Sequence, residues 1–364
     1  MPQPSFIIPV NVQPQAYQVI VQPGLLAQLG QLVRGLTDSA KICLVTDTNV
    51  RDHHLPAARL SLESAGFTVV TAILPAGEAN KTLDQINHLY NTFLPAGIDR
   101  QTPLLALGGG VVGDMAGFCA STILRGLPFI QVPTTLLSMV DASVGGKTGF
   151  DHPCGKNLIG AFHQPRGVFI DPLVLLTLPQ REVSNGLAEC IKHDILRDAD
   201  HFAFLESNIT QALCGNVPYL AELIAHNVQI KARVIEADPF EKAERAHLNF
   251  GHTFGHAIEN VSNFQHLHGQ SVALGMVAAA YLAQDLGMID ASSVQRIIRL
   301  LATAQLPTGG LTLNIDALIA AMAYDKKNLH NKIRFVLPDR IGHVVIRDDI
   351  PTDAVARAFA SISR

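Results

Sequence analysis

The sequence predicts an α/β protein of two domains, a doubly wound α/β domain over residues 1–178 and a mainly α-helical domain over residues 179–364. Before residue 178, short runs rich in β-branched and aromatic residues alternate with helical patterns, which is typical of right-handed βαβ units around a mostly parallel sheet. After Leu178-Pro179, segments with helical periodicity follow one another. The N-terminal domain is therefore expected to be Rossmann-like, with ligands beyond the carboxyl ends of its strands.

The N-terminal elements follow from local patterns. Residues 6–12 and Tyr17–Val21 flank a polar turn that contains proline, and are predicted to pair as a hairpin. Further strands are predicted at residues 41–46, 68–74, 103–107, 129–132 and 168–170. Helical periodicity predicts helices at residues 54–65, 82–93 and 111–124.

The C-terminal elements are predicted mainly as helices. Their periodic segments are residues 182–196, 217–236, 250–261, 272–286, 292–304 and 315–323. A late strand pair is predicted at residues 333–337 and 343–346. No internal repeat interrupts this order, so a single helical domain is expected after the boundary.

Composition and charge exclude several classes of protein. The 364 residues are 48% apolar and 16% charged, and the mean hydropathy is +0.24, which excludes disorder and collagen-like repeats. The 27 basic and 31 acidic residues give a net charge of −4 without a Lys/Arg block, so a nucleic-acid partner is not expected. Basic residues that bind an anionic ligand must therefore be gathered locally.

Cysteine spacing and hydropathy predict the compartment. The five cysteines lie far apart without a C-x-x-C pair, which argues against a disulfide framework and against a thiolate zinc site. The first 25 residues show no secretion-signal pattern, and the most apolar helical stretch, residues 272–283, is too short to cross a bilayer. A cytoplasmic protein without a membrane partner is expected.

A glycine-rich turn is the first feature that indicates chemistry. Gly108-Gly-Gly-Val-Val-Gly-Asp114 lies between a predicted strand and a predicted helix, where glycines let backbone N–H groups approach a phosphate at the helix N-terminus. The spacing is not G-x-G-x-x-G, so a plain tight turn is an equal alternative. Asp47-x-Asn49 and Gly77-Glu78-x-x-Lys81 also follow predicted strands; their acids suit ribose hydroxyls, or simple helix capping.

Two further groups carry basic and metal-binding side chains. Lys147 and Lys156-Asn157 lie in a glycine-rich stretch that suits a binding loop or, alternatively, a flexible surface loop. His252 and His256 are one helical turn apart, with His266-x-His268 beyond them and Glu189-x-x-Lys192 before them. Spacing alone selects His252 and His256 as zinc ligands with a carboxylate. Buried structural histidines are the alternative, and the absence of H-E-x-x-H argues against a metalloprotease.

Taken together, these motifs resemble the 3-dehydroquinate synthase branch of the sugar-phosphate cyclase superfamily, over residues 40 to 345. The resemblance rests on this ordered set: Gly-Glu-x-x-Lys81, Gly-Gly-Gly-Val-Val-Gly-Asp114, Pro133-Thr-Thr-Leu-Leu, Gly145-Gly-Lys147, Gly155-Lys-Asn157, Ala188-Glu-x-Ile-Lys192, Asn249-Phe-Gly-His-Thr-Phe-Gly-His-Ala-Ile-Glu259 and Asp325-Lys-Lys327.

The resemblance implies three sets of site residues. NAD would be held by Asp47, Ala76, Gly77, Glu78, Ala79, Asn80, Lys81, Gly110, Val111, Val112, Gly113, Asp114, Thr134, Thr135, Lys147, Lys156, Val174, Leu175, Leu176 and Thr177. A divalent metal, Zn²⁺ or Co²⁺, would be held by Glu189, His252 and His268. The substrate residues would be Asp141, Lys147, Asn157, Lys192, Lys231, Arg245, Asn249, His256 and Lys326. Arg125 would reach the phosphate site of a neighbouring subunit, which implies a homodimer.

The resemblance also implies the reaction. The enzyme would be an NAD- and metal-dependent carbon–oxygen lyase that converts 3-deoxy-D-arabino-heptulosonate 7-phosphate to 3-dehydroquinate and phosphate, by transient oxidation, β-elimination, reduction and aldol closure. Three alternatives stay open from the sequence. They are a sister cyclase acting on a sugar phosphate without a carboxylate, a metal-dependent alcohol or glycerol dehydrogenase that releases NADH, and an inactive scaffolding relative.

Overall fold

The computed structural model describes residues 4–13, 15–240, 244–263, 265–326 and 333–363, with the side chains of residues 323–326 outside this description. Its strands are β1 (Phe6–Val10), β2 (Tyr17–Val21), β3 (Lys41–Asp47), β4 (Thr68–Leu74), β5 (Leu104–Gly108), β6 (Phe129–Pro133), β7 (Lys147–His152), β8 (Gly155–Phe162), β9 (Gly167–Ile170), β10 (Phe335–Arg340) and β11 (His343–Arg347). Its α-helices are α1 (Leu29–Arg34), α2 (Arg51–Ser64), α3 (Leu83–Phe93), α4 (Gly110–Thr122), α5 (Gln180–Arg197), α6 (Ala199–Asn208), α7 (Thr210–Leu213), α8 (Val217–Ala237), α9 (His252–Val261), α10 (His268–Asp285), α11 (Ala291–Thr303), α12 (Ile315–Lys326) and α13 (Thr352–Ile362).

The chain divides into two compact units. The first comprises residues 1–179 and 215–239, and the second comprises residues 180–214 and 240–364. The sequence places helix α8 in the C-terminal domain, whereas the structure places it in the first unit. The reason is packing: α8 contacts β1, β2 and the short helical turn Ser138–Ala142 of the first unit.

A seven-stranded sheet organises the first unit. Its strand order is β1-β2-β9-β6-β5-β3-β4, with β1 and β2 antiparallel and the other pairings parallel. β5 and β6 are buried along their whole length, as expected for central strands covered on both faces. The α/β fold class, the hairpin and the alternation of strands and helices are therefore as predicted.

Helix α4 lies very close to the sheet. A Cβ atom on Gly113 would lie 2.9 Å from the Oε1 atom of Gln131 in β6, and one on Gly117 would lie 2.4 Å from the Cγ2 atom of Thr148 in β7. These separations are shorter than van der Waals contact, so only glycine fits at this approach without displacing a neighbour. The glycines after β5 thus set the position of α4 as well as the turn before it.

Most of the glycine-rich stretch after residue 141 is a pair of strands. β7 and β8 form an antiparallel hairpin in which Gly149 pairs with Gly160. A Cβ atom on Gly160 would lie 2.2 Å from the carbonyl oxygen of Thr148, so the two backbones approach more closely than larger residues allow. The prediction of a loop is therefore wrong for Lys147–His152 and Gly155–Phe162, whether as a binding loop or as a flexible surface loop, because these glycines permit a close approach of two paired strands.

Three helices form the centre of the second unit. α5 is buried from Val183 to Leu196, and α10 packs against both α5 and α9. A Cβ atom on Gly275 of α10 would lie 2.0 Å from the carbonyl oxygen of Gly251, which precedes α9. Strands β10 and β11 pair antiparallel, as predicted. In the described ranges, no helix is long and apolar enough to cross a membrane.

Candidate active site

The residues predicted to bind NAD lie at the carboxyl ends of parallel strands in the first unit. Asp47 ends β3, the segment Ala76–Lys81 follows β4, the turn Gly109–Asp114 follows β5, and Thr134-Thr135 follow β6. Because parallel strands end at one edge, these segments share that edge, which is where such sheets bind nucleotides. Gly110, Val111, Val112 and Gly113 form the first turn of α4, whose N-terminus favours a negatively charged group.

Asp47 has a structural role at this edge. Its Oδ1 atom accepts hydrogen bonds from the backbone N–H groups of Asn49 (2.8 Å) and Val50 (2.9 Å). Val50 immediately precedes α2, so these bonds hold the turn that leads into that helix. The structure shows no side-chain hydrogen bond at the cap position of α2, and NAD binding by Asp47 stays a prediction.

Lys81 joins several of the predicted residues. Its Nζ atom, in a side chain only 3% exposed, lies 2.6 Å from Oδ2 of Asp114 and 2.5 Å from Oδ1 of Asn157. Burial alone would lower the pKa of Lys81, but the attraction of Asp114 and Glu78 outweighs burial and raises it. Lys156 lies 3.5 Å from Glu78. Lys81 is therefore a buried cation that ties the β4 segment to α4 and to the hairpin.

The remaining predicted NAD residues lie in hydrogen-bonded turns. The Oγ1 atom of Thr134 is buried without a hydrogen-bond partner in the described part of the chain, which suits a polar ligand. Thr135 bonds to Ser138 (2.8 Å). The turn Pro172–Thr177, which contains Val174, Leu175 and Leu176, is joined to α2 by a 2.9 Å bond between Thr177 and His54. The backbone N–H of Ala76 donates to Oγ1 of Thr48, which follows β3. The side chain of Asn80 donates to the carbonyl oxygen of Ala76 within the segment after β4, which also contains Ala79.

The predicted substrate residues of the first unit form one ion pair. Lys231 of α8 is 5% exposed, and its Nζ atom lies 2.6 Å from Oδ1 of Asp141 and also donates to the Asp141 carbonyl. Lys147 is exposed at the start of β7. A buried lysine is retained only with an anionic partner, so Asp141 holds the charge of Lys231 in place.

Arg125 lies on strained backbone. Leu124 and Arg125 have φ angles of 51° and 67°, in the left-handed region that residues other than glycine rarely adopt. The turn is held by backbone hydrogen bonds from Gly126 to Ile123 and from Leu127 to Ala120. Arg125 is exposed. Strain of this kind marks functional positions, which is consistent with a recognition role.

Glu189, His252 and His268 come together in the second unit. Glu189 is fully buried on α5, His252 begins α9 and His268 begins α10. The Nε2 atoms of the two histidines lie 3.7 Å and 3.4 Å from Oε1 of Glu189, and three such ligand atoms lie within 4.8 Å of one another. In a tetrahedral zinc site with bonds of about 2.0–2.2 Å, neighbouring ligand atoms lie about 3.4 Å apart. The spacing therefore fits a divalent metal.

Hydrogen bonds orient the imidazoles of His252 and His268 so that their Nε2 atoms face Glu189. The Nδ1 atom of His252 lies 3.1 Å from the carbonyl oxygen of Phe250, and that of His268 lies 3.0 Å from Oε1 of Glu259. Metal-bound histidines are typically held by such a carbonyl or carboxylate, which leaves Nε2 for the metal. Oε1 of Glu189 is buried without a hydrogen-bond partner among the described residues, as a ligand atom would be. Glu259 is a supporting residue that the sequence analysis quoted in a motif but did not assign.

The charges of this cluster are strongly coupled. Burial opposes ionisation of Glu189, but Lys192, His268 and His252 together outweigh burial and hold the pKa of this carboxyl well below its usual value. Burial, reinforced by Lys192, lowers the pKa of His252 to about 3. Burial would also lower the pKa of His268, but its contacts with Glu189 and Glu259 outweigh burial and raise it to about 10. The shifts favour the neutral form of His252 and the protonated form of His268, so a metal that binds through Nε2 of His268 has to displace a proton.

His256 lies beside the cluster. It is exposed, and its ring centroid lies 5.4 Å from that of His252 at an angle of 88°. The cluster of possible ligands contains His268 and not His256, so helical spacing alone selected a different pair from the one the fold brings together. Lys192, one turn after Glu189, is 1% exposed and forms an ion pair with it.

Arg245 and Asn249 lie on the turn Glu244–Asn249, which is a 3₁₀ helix. These two residues are four apart, a spacing that aligns side chains on an α-helix, but a 3₁₀ helix repeats every three residues. Helical spacing alone therefore does not place Arg245 and Asn249 on one face. Arg245 is 3% exposed, and a buried guanidinium requires anionic or hydrogen-bonding partners. Lys326 ends α12, and its side chain lies outside the described residues.

Comparisons with known proteins identify the family. Models of the N-terminal and C-terminal regions of 3-dehydroquinate synthase match residues 71–185 and 186–328. The 3-dehydroquinate synthase of Symbiobacterium thermophilum is 46% identical, covering 96% of this chain and 99% of the relative. That of Nostoc punctiforme is 44% identical, covering 97% and 98%.

Solved structures confirm the fold. ValA, a 2-epi-5-epi-valiolone synthase from Streptomyces hygroscopicus subsp. jinggangensis 5008 with NAD⁺ and Zn²⁺ bound, superposes with a TM-score of 0.90 at 29% identity, covering 97% of this chain and 98% of that chain. A protein described as a probable glycerol dehydrogenase from Sinorhizobium meliloti 1021 has a TM-score of 0.64 at 16% identity, with 94% of each chain covered, and shares the fold alone. With both family models matched and full-length relatives well above 40% identity, the chain belongs to the 3-dehydroquinate synthase family.

Proposed function

We propose that this chain converts 3-deoxy-D-arabino-heptulosonate 7-phosphate to 3-dehydroquinate and phosphate, as an NAD- and metal-dependent lyase of the shikimate pathway. Its full-length relatives are 3-dehydroquinate synthases. The observation that carries the proposal is the group Glu189, His252 and His268, with both Nδ1 atoms held by protein acceptors. This arrangement suits a catalytic metal with three protein ligands and an open position.

NAD⁺ and a divalent metal, Zn²⁺ or Co²⁺, are the cofactors of the proposed reaction. When bound, they supply a hydride acceptor that returns its hydride later, and a Lewis acid for the substrate oxygen. Both are bound in the structure of the related ValA, with Zn²⁺ as the metal. In this chain, Glu189 would contribute the anionic ligand, and Glu259 would keep the His268 ring oriented.

The NAD-binding role is supported by the position of the predicted residues at one sheet edge. The first turn of α4 offers backbone N–H groups to the pyrophosphate. The side-chain oxygen of Thr134, which has no hydrogen-bond partner within the described ranges, is available to a polar group of NAD. Lys81 keeps the β4 segment and α4 together through Asp114, so its main effect is to hold the shape of the site.

The proposed substrate carries two anionic groups, a phosphate and a carboxylate, which require gathered positive charge. Six basic residues have this role in the proposal: Lys147, Lys156, Lys192, Lys231, Arg245 and Lys326. The chain as a whole is acidic, with a net charge of −4, so a local group of this kind is needed to attract phosphate and carboxylate. Asp141, Asn157, Asn249 and His256 would supply the hydrogen bonds that orient the substrate.

Assembly and compartment complete the proposal. We expect a homodimer in which Arg125 contacts the phosphate site of the partner, and its exposure and left-handed backbone support this role. We expect a cytoplasmic enzyme because all five cysteines are free thiols, as is usual in a reducing compartment.

The test is a product assay that follows phosphate release and NADH absorbance together. The proposal expects one phosphate per heptulosonate phosphate consumed, with no net NADH, because substrate and product are at the same oxidation level. Sedoheptulose 7-phosphate, which lacks the carboxylate, is the control substrate and should react poorly. Stoichiometric NADH accumulation would instead indicate a dehydrogenase, and a preference for sedoheptulose 7-phosphate would indicate a sister cyclase.

A further inference from the structure

Three residues of the first unit form a closed ring of hydrogen bonds. The backbone N–H of Asp151 donates to the carbonyl oxygen of Lys81 (2.8 Å). The Nζ atom of Lys81 donates to Oδ1 of Asn157 (2.5 Å). The backbone N–H of Asn157 donates to Oδ1 of Asp151 (2.8 Å). Each residue therefore restrains the other two.

A strand irregularity places Asp151 in this ring. The pairing of β7 with β8 is regular up to Phe150 and Ile159, and its register then shifts between Phe150 and His152. Residues 156–158 of β8 therefore lie opposite Asp151 alone, and such a bulge interrupts the ladder and re-aims the groups beside it. The backbone N–H of Asp151 is thereby directed to Lys81.

Asn157 needs such restraint because its backbone is in the left-handed region, with φ of 54°. Asparagine adopts this conformation more readily than most residues, but at a cost relative to extended backbone. The Asp151 carboxylate accepts the hydrogen bond from the backbone N–H of Asn157, a donor that would otherwise have to be satisfied by the opposite strand. This bond therefore favours the left-handed conformation of Asn157. Without it, the side chain of Asn157 would lose its fixed direction, although Lys81 would still attract the amide oxygen.

We propose that Asp151 is a positioning residue for substrate binding, which holds the Asn157 backbone so that its amide meets the substrate. The inference rests on the proposed function, in which Asn157 contacts substrate and Lys81 belongs to the cofactor site. Asp151 itself does not touch substrate in this scheme. Its carboxylate acts as a hydrogen-bond acceptor, so an amide oxygen at the same place should serve nearly as well.

The test compares Asp151→Ala with Asp151→Asn in the full-length enzyme loaded with metal and NAD⁺. Loss of one hydrogen bond at a partly exposed site should lower kcat/KM for the heptulosonate phosphate roughly three- to tenfold. The Asn variant should stay within about twofold of wild type. NAD⁺ affinity and Tm should change little in both variants, because the contact from Asp151 to Lys81 is made by backbone.

Asp99→Ala is the matched control. Asp99 also accepts a backbone N–H, from Gln101 at 2.9 Å, but it lies before β5, at the opposite end of the strand from the glycine turn. This variant should have wild-type kinetics. It measures how much the kinetics change when an aspartate that holds a turn is lost far from the proposed site.

A double-mutant cycle with Asn157→Gly separates an effect of Asp151 through Asn157 from an independent effect of Asp151. Glycine is the suitable replacement because it tolerates the left-handed backbone. If Asp151 acts through Asn157, Asp151→Ala should have less than about a twofold further effect in the Asn157→Gly background. Wild-type kinetics for Asp151→Ala beside an impaired Asn157→Gly enzyme would overturn the inference, as would fully multiplicative effects. Wild-type kinetics for Asn157→Gly would instead overturn the substrate role of Asn157 in the proposed function.

Discussion

Replacing Glu259 by glutamine should weaken metal binding without removing a metal ligand. Glu259 is 5% exposed on α9, and its Oε1 atom accepts from Nδ1 of His268 at 3.0 Å. Glutamine has nearly the same shape but no charge. The substitution therefore leaves Glu189, His252 and His268 in place and changes only the group that orients and polarises one imidazole.

The expected loss of metal affinity follows from the single contact between Glu259 and His268. A hydrogen bond to a charged partner contributes about 1.5–3 kcal/mol, and loss of a supporting carboxylate typically lowers metal affinity about 10- to 100-fold. The two figures agree, because each factor of ten is about 1.4 kcal/mol. The variant should recover activity when the metal concentration is raised, since the ligands themselves are unchanged.

The assay is competition for Zn²⁺ against a chelator of known affinity, with stability measured by thermal unfolding. Glu206→Gln is the control, because Glu206 also pairs with a basic side chain, Arg296 at 2.7 Å, in the same unit. That variant should keep wild-type metal affinity. An unchanged Zn²⁺ Kd for Glu259→Gln, with the metal still bound, would refute the argument that Glu259 supports His268.

Three further outcomes are expected. Because the pKa of His268 is raised to about 10, metal binding at pH 7.5 should release about one proton, and metal affinity should fall about tenfold per pH unit on acidification. Calorimetry in buffers of different ionisation enthalpy measures the number of protons released. Zero proton release would contradict this prediction. Gly275→Ala should lower the free energy of unfolding by about 1–3 kcal/mol, since its Cβ would lie 2.0 Å from the Gly251 carbonyl oxygen. Denaturant unfolding measures this loss. Wild-type stability would show that α10 can move away from Gly251 at no cost. Arg245→Ala should lower kcat/KM for the heptulosonate phosphate roughly ten- to hundredfold with Zn²⁺ and NAD⁺ affinities retained, and unchanged kinetics would remove Arg245 from substrate binding.

Local sequence patterns predicted most of the sheet because each buried strand carries its own signal. Thr68–Leu74 was predicted with the bounds that β4 has in the structure. The hairpin of β7 and β8 was missed because its glycines indicate a loop when read locally. Their actual role, a close approach between Gly149 and Gly160, depends on which strand lies opposite and has no local signature.

The candidate metal site also depends on contacts between distant segments, which local sequence patterns do not encode. Helical periodicity relates residues on one helix, so it selected His252 and His256. The fold instead brings together Glu189, His252 and His268 from the three helices α5, α9 and α10. Packing of these helices against one another brings them together, and only the resemblance to a known family anticipated it. Glu259 followed from neither, since its role depends on the direction of one imidazole.

The first unit is discontinuous, because helix α8 joins residues 1–179 only after the chain has passed through residues 180–214. Thirteen α8 residues are buried, among them Lys231, whose ammonium pairs with Asp141. On the ribosome, the sheet emerges complete while one of its covering helices is still unsynthesised. A gene fragment that stops near residue 179 therefore encodes the whole seven-stranded sheet and the β7–β8 hairpin without helix α8. A single cut in the chain thus cannot yield the complete unit.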